Sequence, residues 1–153
     1  MCGIIGIVGT KPVQDRLIES LKRRIRHSSG GSFLVTGFRG VQVMLLSGDR
    51  QDRTTLARNI KSIISTAEIT QAADANVATS VLAPEIDVAI VDIDFDLDGG
   101  LQAIRKAKSL TPPVPTIALS SNTNHREQAL LAGADELLSN PPPFAELQVV
   151  LVR

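Results

Sequence analysis

Asp92 closes the apolar run Val88-Ala89-Ile90-Val91, and Asp94, Asp96 and Asp98 follow at every second position before Gly99-Gly100. A carboxylate oxygen at such a place can attack phosphorus and form an acyl phosphate. That step calls for a divalent cation held by several oxygen ligands to neutralise charge. Asp49 and Asp92 are the acids expected to supply ligands, with Asp94 a weaker choice. Ser120, which ends another apolar run, adds a hydroxyl, and Asn140, before Pro141-Pro142-Pro143, adds an amide. A second nucleophile stands alone at the front of the chain as Cys2, the single cysteine of the 153 residues.

The elements needed to gather these groups can be read from hydrophobic periodicity. Val88 to Val91 has no polar partner within it, the pattern of a strand buried on both faces of a parallel sheet. Similar runs are Val41–Leu46 and Val114–Ser120, with shorter ones at Glu68–Ala72 and Asp135–Ser139. Helical spacing fills the gaps. Leu56, Ile60, Ile63 and Ile64 line a helix that Asp49 or Asp52 caps. Asp74 to Ala83 forms the next helix, closed by Pro84, and Leu101, Ile104 and Ala107 line a third. Asn124 to Ala132 is stopped by Gly133, and Phe144 begins the last helix. Five strands alternating with five helices predict a doubly wound parallel α/β sheet of order 2-1-3-4-5. In that topology the strand carboxyl ends meet at one edge, where sites form. Ser47-Gly48-Asp49, Asp92, Ser120 and Asn140-Pro141 are thereby expected together.

Composition narrows the function classes. Sixteen basic and sixteen acidic residues leave no net charge, against a dedicated nucleic-acid binder. No apolar run approaches the ~20 residues that span a bilayer, and the start lacks the charged region of a signal peptide. One cysteine fits a reducing compartment, so a cytoplasmic location is expected. Residues 1 to 27 read as a separate strand and helix, with Val13, Leu17, Leu21 and Ile25 as the apolar stripe. Residues 28 to 40 read as a linker, and 41 to 153 as the main domain.

Residues 41 to 152 resemble a response-regulator receiver domain. The resemblance rests on Asp87-Val88-Ala89-Ile90-Val91-Asp92 with Gly100 eight residues later, on Pro115-Thr116-Ile117-Ala118-Leu119-Ser120, and on Ala129 to Pro141. It implies a flavodoxin-like fold and a role in phosphorelay, two-component signal transduction. It also implies Asp92 as phosphoacceptor, Ser120 as the hydroxyl that turns toward the phosphoryl group, Mg2+ as cofactor, and Pro141 as the proline after strand 5. Implied partners are a histidine kinase or another signalling protein, or a second copy, through the face made by helix 4, strand 5 and helix 5.

Five positions depart from the pattern. Ser47 and Gly48 stand where the family usually has two adjacent acids, with Asp49 one residue later. Asn140 replaces the lysine, Leu137 the aromatic switch residue, and Asp96 a proline. The expectation is an atypical receiver, acting through partner binding, in which phosphorylation of Asp92 is impaired.

The front of the chain resembles a different family. Met1-Cys2-Gly3-Ile4-Ile5-Gly6-Ile7-Val8-Gly9, with Pro12-Val13, Arg16-Leu17 and Leu21-Lys22-Arg23, is similar to the start of class II glutamine amidotransferases, closest to glutamine:fructose-6-phosphate aminotransferase. There Cys2 would be the N-terminal nucleophile after removal of Met1. The family's next motif is replaced by Arg26-His27-Ser28-Ser29-Gly30. The alternative reading is therefore a truncated and inactive amidotransferase fragment.

Overall fold

The structure is a computed structural model that describes residues 40 to 152. The expectations for residues 1 to 39, including Cys2, the leading strand and helix, and the linker, lie outside the described residues. In chain order the elements are β1 (Gln42–Leu46), α1 (Arg50–Ile63), β2 (Glu68–Ala72), α2 (Ala75–Val81) and β3 (Val88–Asp92). They continue with α3 (Leu97–Ser109), β4 (Thr116–Leu119), α4 (Thr123–Ala132), β5 (Glu136–Leu138) and α5 (Phe144–Val152). All strand pairings are parallel, in the order β2-β1-β3-β4-β5, as the alternation of elements predicts.

Period-two side-chain alternation explains why the inner strands are apolar throughout. Val43, Leu45, Val88, Ile90, Ile117 and Leu119 face one layer, where Leu56 and Ile60 of α1 and Leu147, Val150 and Leu151 of α5 cover them. Met44, Leu46, Ala89, Val91 and Ala118 face the other, against Ala78 of α2, Leu101 and Ile104 of α3, and Ala129 of α4. Small residues dominate that second layer, so α3 packs close to the sheet. Among the described residues no helix is long and apolar enough to cross a membrane.

Polar groups set the ends of these elements. Asp49, Asp74, Asp96 and Asn122 are N-caps of α1, α2, α3 and α4, each accepting from a backbone N–H of the first turn. Gly133 ends α4 at φ 115°, a left-handed cap that favours glycine. Asp87 is fully buried, and its carboxylate accepts from the Gln42 N–H at 2.8 Å, tying the start of β3 to β1. Asp135 accepts from Lys108 Nζ at 2.7 Å and from the Thr116 N–H at 2.9 Å, which anchors α3 and β4 ahead of β5.

Register fixes what reaches the carboxyl edge. Leu46 pairs with Val91, and Asp92 with Leu119. Ser47 therefore emerges beside Asp92, and Ser120 one step beyond it. Gly100 governs how closely α3 approaches that edge, because a Cβ there would sit 2.7 Å from Ile93 Cγ2. Replacement by alanine improves helix propensity by about 1 kcal/mol, yet overpacking costs about 1–3 kcal/mol. Gly100→Ala is expected to lower stability by about 1 kcal/mol in urea unfolding, against the gain an open helical site would show.

Candidate functional site

Asp92 is 5% exposed at the end of β3, and three neutral donors hold it. Ser47 Oγ donates to its Oδ2 at 3.0 Å, and the Asp94 N–H and Asn140 Nδ2 donate to Oδ1 at 2.9 and 3.0 Å. The bond from Asp94 N–H is a two-residue side-chain turn, a local geometry that aspartate favours after a strand. It folds the chain so that Asp94 points back across the same edge.

Asp94 is the better connected of the two acids. Its Oδ1 accepts from Ser120 Oγ at 2.6 Å. Its Oδ2 accepts from the Ser121 N–H at 2.9 Å, from Ser121 Oγ at 3.0 Å and from Asn140 Nδ2 at 3.0 Å. His125 Nδ1 lies 3.8 Å from Oδ1. One amide nitrogen, Asn140 Nδ2, thus bridges both carboxylates, one N–H to each. The Asn140–Pro141 peptide is cis. Partial burial raises the Asp94 carboxyl, the largest single effect, but the bonds from Ser120, Ser121 and Asn140 together outweigh it and hold the acid below its ordinary value.

Of the residues expected at the edge, Ser47, Asp92, Ser120 and Asn140 do converge, with Asp94 joining them. Asp49 does not join this network. It is exposed, and its Oδ1 accepts from the Asp52 N–H at 2.9 Å as the cap of α1. The expected pairing of Asp49 with Asp92 around a cation is thus replaced by Ser47 hydroxyl against Asp92. Gly48 offers no side chain, and the exposed Phe95 ring lies over it, where a Cβ would come within 2.1 Å of Phe95 Cδ2. Among the described residues no three His, Cys, Asp or Glu side chains group as a metal site. Asp92 and Asp94 are the carboxylates at this edge, and neutral hydrogen-bond donors already engage each of them. Between Phe95, Gly48 and Asp92 lies a cleft of about 40 Å³, room for a few waters. Leu137 is half-buried in β5 and packs with the small-residue layer.

Two contributors lie outside that expectation: Asp94 as the hub, and Phe95 as the cover of Gly48. Only Asp94 had a usable signal, since an aspartate two residues past a strand-end acid is placed to turn back on it.

Because Asp94 is held below the ordinary aspartate value of about 3.9, its contribution to stability is complete above that value. It is lost as pH falls through the lower folded value. The stability difference between wild type and Asp94→Asn should therefore be constant near neutrality and shrink below about pH 4, as read by urea midpoints. A carboxyl 13C titration should place Asp94 below a free aspartate.

No family model matches the chain. The receiver domain of a sensor histidine kinase from Pseudomonas aeruginosa PAO1, with magnesium coordinated in its active-site cleft, superposes with a TM-score of 0.62 at 25% identity, over 72% of this chain and 93% of that one. The receiver domain of a DNA-binding response regulator from Colwellia psychrerythraea 34H superposes with a TM-score of 0.60 at 17% identity, over 71% and 93%. A pilus assembly protein from Burkholderia thailandensis E264 gives 0.60 at 18%, also over 71% and 93%. Separately, 23 residues, 15% of this chain, are 87% identical to glutamine–fructose-6-phosphate aminotransferase of Caulobacter vibrioides, of which they span only 4%. Five parallel strands in the order 2-1-3-4-5 with five helices give the described residues the flavodoxin-like fold of response-regulator receiver domains.

Proposed function

We propose that residues 41 to 152 form an atypical receiver module of cytoplasmic phosphorelay signalling that acts by binding a partner, with phosphorylation at Asp92 impaired. The observation that carries this reading is the environment of Asp92. Its carboxylate is central at the carboxyl edge of a receiver fold, yet a hydroxyl, a backbone N–H and an amide hold it. Transfer of a phosphoryl group to Asp92 would build charge beside the Asp94 carboxylate. Preorganised positive charge is what usually stabilises such a transition state, and Asn140 supplies only a dipole.

The partner face is the one made by α4, β5 and α5. Leu130 and Leu131 of α4 are 48% and 88% exposed, and Phe144, Val149 and Val152 of α5 are exposed as well. Apolar side chains exposed on the two helices that flank β5 suit contact with a histidine kinase, another signalling protein or a second copy.

Incubation with acetyl phosphate and Mg2+ followed by intact-mass measurement tests the reading. Wild type should carry a phosphoryl adduct on a small fraction of molecules at most, and Asp92→Ala on none. Asn140→Lys, which adds a cation beside Asp92, should raise the labelling rate roughly tenfold. Stoichiometric labelling of wild type would overturn the impaired assignment.

A second reading draws on the 23-residue match at 87% identity, in which Cys2 with its α-amine would act as an N-terminal nucleophile. The match supplies a nucleophile but spans 4% of that enzyme, without the groups that orient glutamine or stabilise an oxyanion. Protein with Met1 removed is expected to show no glutaminase activity; turnover lost in Cys2→Ala would reverse the ranking.

A further inference from the structure

The loop after β4 and the end of β5 aim a set of donors at one point. Ser120 Oγ, Ser121 N–H, Ser121 Oγ and Asn140 Nδ2 all lie within 3.0 Å of the Asp94 carboxylate. His125 Nδ1 has no hydrogen-bond partner and faces the same carboxylate from 3.8 Å. Donors that converge from two separate loops form a seat for an oxyanion. Here the chain fills that seat from its own β3 loop.

The seat is wired to α4. The Asn122 N–H donates to Ser120 Oγ at 3.0 Å, and Ser120 Oγ also lies 3.2 Å from the Asn122 carbonyl. The Asn122 side chain in turn caps α4 by accepting from the Asn124 and His125 N–H groups at 2.9 and 3.3 Å. A continuous chain of hydrogen bonds thus runs from Asp94 through Ser120 and Asn122 to the first turn of α4. The same helix carries the exposed Leu130 and Leu131.

We infer that Asp94 is a built-in anion that occupies the oxyanion seat of Ser120, Ser121 and Asn140, locking the β4–α4 loop and the start of α4 in one arrangement. The inference deepens the receiver reading by naming what sets its partner face. A tethered carboxylate needs no donor molecule and no transfer step, so the arrangement is permanent. It also makes the seat unavailable to a free tetrahedral oxyanion. Vacating it leaves the seat open to inorganic phosphate, which has the geometry and charge those donors suit.

Amide hydrogen exchange on the full chain tests this, with inorganic phosphate as the probe. In Asp94→Ala, exchange at Ser121, Asn124 and His125 should rise roughly tenfold or more. Millimolar phosphate should then restore protection at the same amides. Wild type should be protected from the start and indifferent to phosphate. Asp94→Ser, smaller but still polar, serves the same comparison if the alanine variant does not fold. Unchanged exchange in the variant would overturn the inference. So would loosening that phosphate fails to reverse, since Asp94 would then be a structural brace and no occupant of an anion seat. A phosphate response in wild type equal to that of the variant would overturn it too. None of these readouts involves phosphotransfer to Asp92 or a binding partner. Failure here therefore leaves the receiver reading standing, and a failed labelling experiment leaves this inference standing.

Discussion

The strand-end cluster depends on one amide. Asn140 Nδ2 donates to the carboxylates of both Asp92 and Asp94, which would otherwise repel each other across a partly dehydrated edge. Two adjacent acids need donors or a cation, and a leftover unpaired carboxylate is costly. The chain answers with neutral donors: a hydroxyl from Ser47, hydroxyls from Ser120 and Ser121, backbone N–H groups, and the Asn140 amide. That choice holds both side chains in place. It does not supply the preorganised positive charge that phosphoryl transfer draws upon.

The fold was largely legible because its signals are redundant. Short, β-branched apolar runs at Val41–Leu46 and Val88–Val91, bounded by turn residues, fit strands covered on both sides, and the alternating helices fit parallel connections. Burial in two layers then follows from side-chain alternation alone. The strand-like runs extend one or two residues past the strands themselves, as at Ser120 and Ser139, where the chain has already turned to serve the loops. The caps show the same logic: Asp49 and Asp52 were equivalent on spacing, and Asp49 takes the role.

The site was half legible. Asp92, Ser120 and Asn140 are strand-end residues, so topology alone brings them to one edge. Loop conformation decides the rest. Asp49 lies only two residues past Ser47, yet capping α1 engages its carboxylate. Asp94 lies two past Asp92, yet an aspartate turn swings it inward. Periodicity carries no information on which way such residues face. The fold does not by itself select the chemistry, since the same architecture occurs in a histidine kinase, a DNA-binding regulator and a pilus assembly protein.

The contact between Phe95 and Gly48 bears on how such a site could change over evolutionary time. A β-carbon at position 48 and the present ring pose cannot coexist. A side chain at position 48 is therefore contingent on the aromatic ring swinging away or being replaced. Phe95 is 71% exposed, so its ring can turn into solvent without uncovering the core, and the restriction on position 48 is set by one surface side chain.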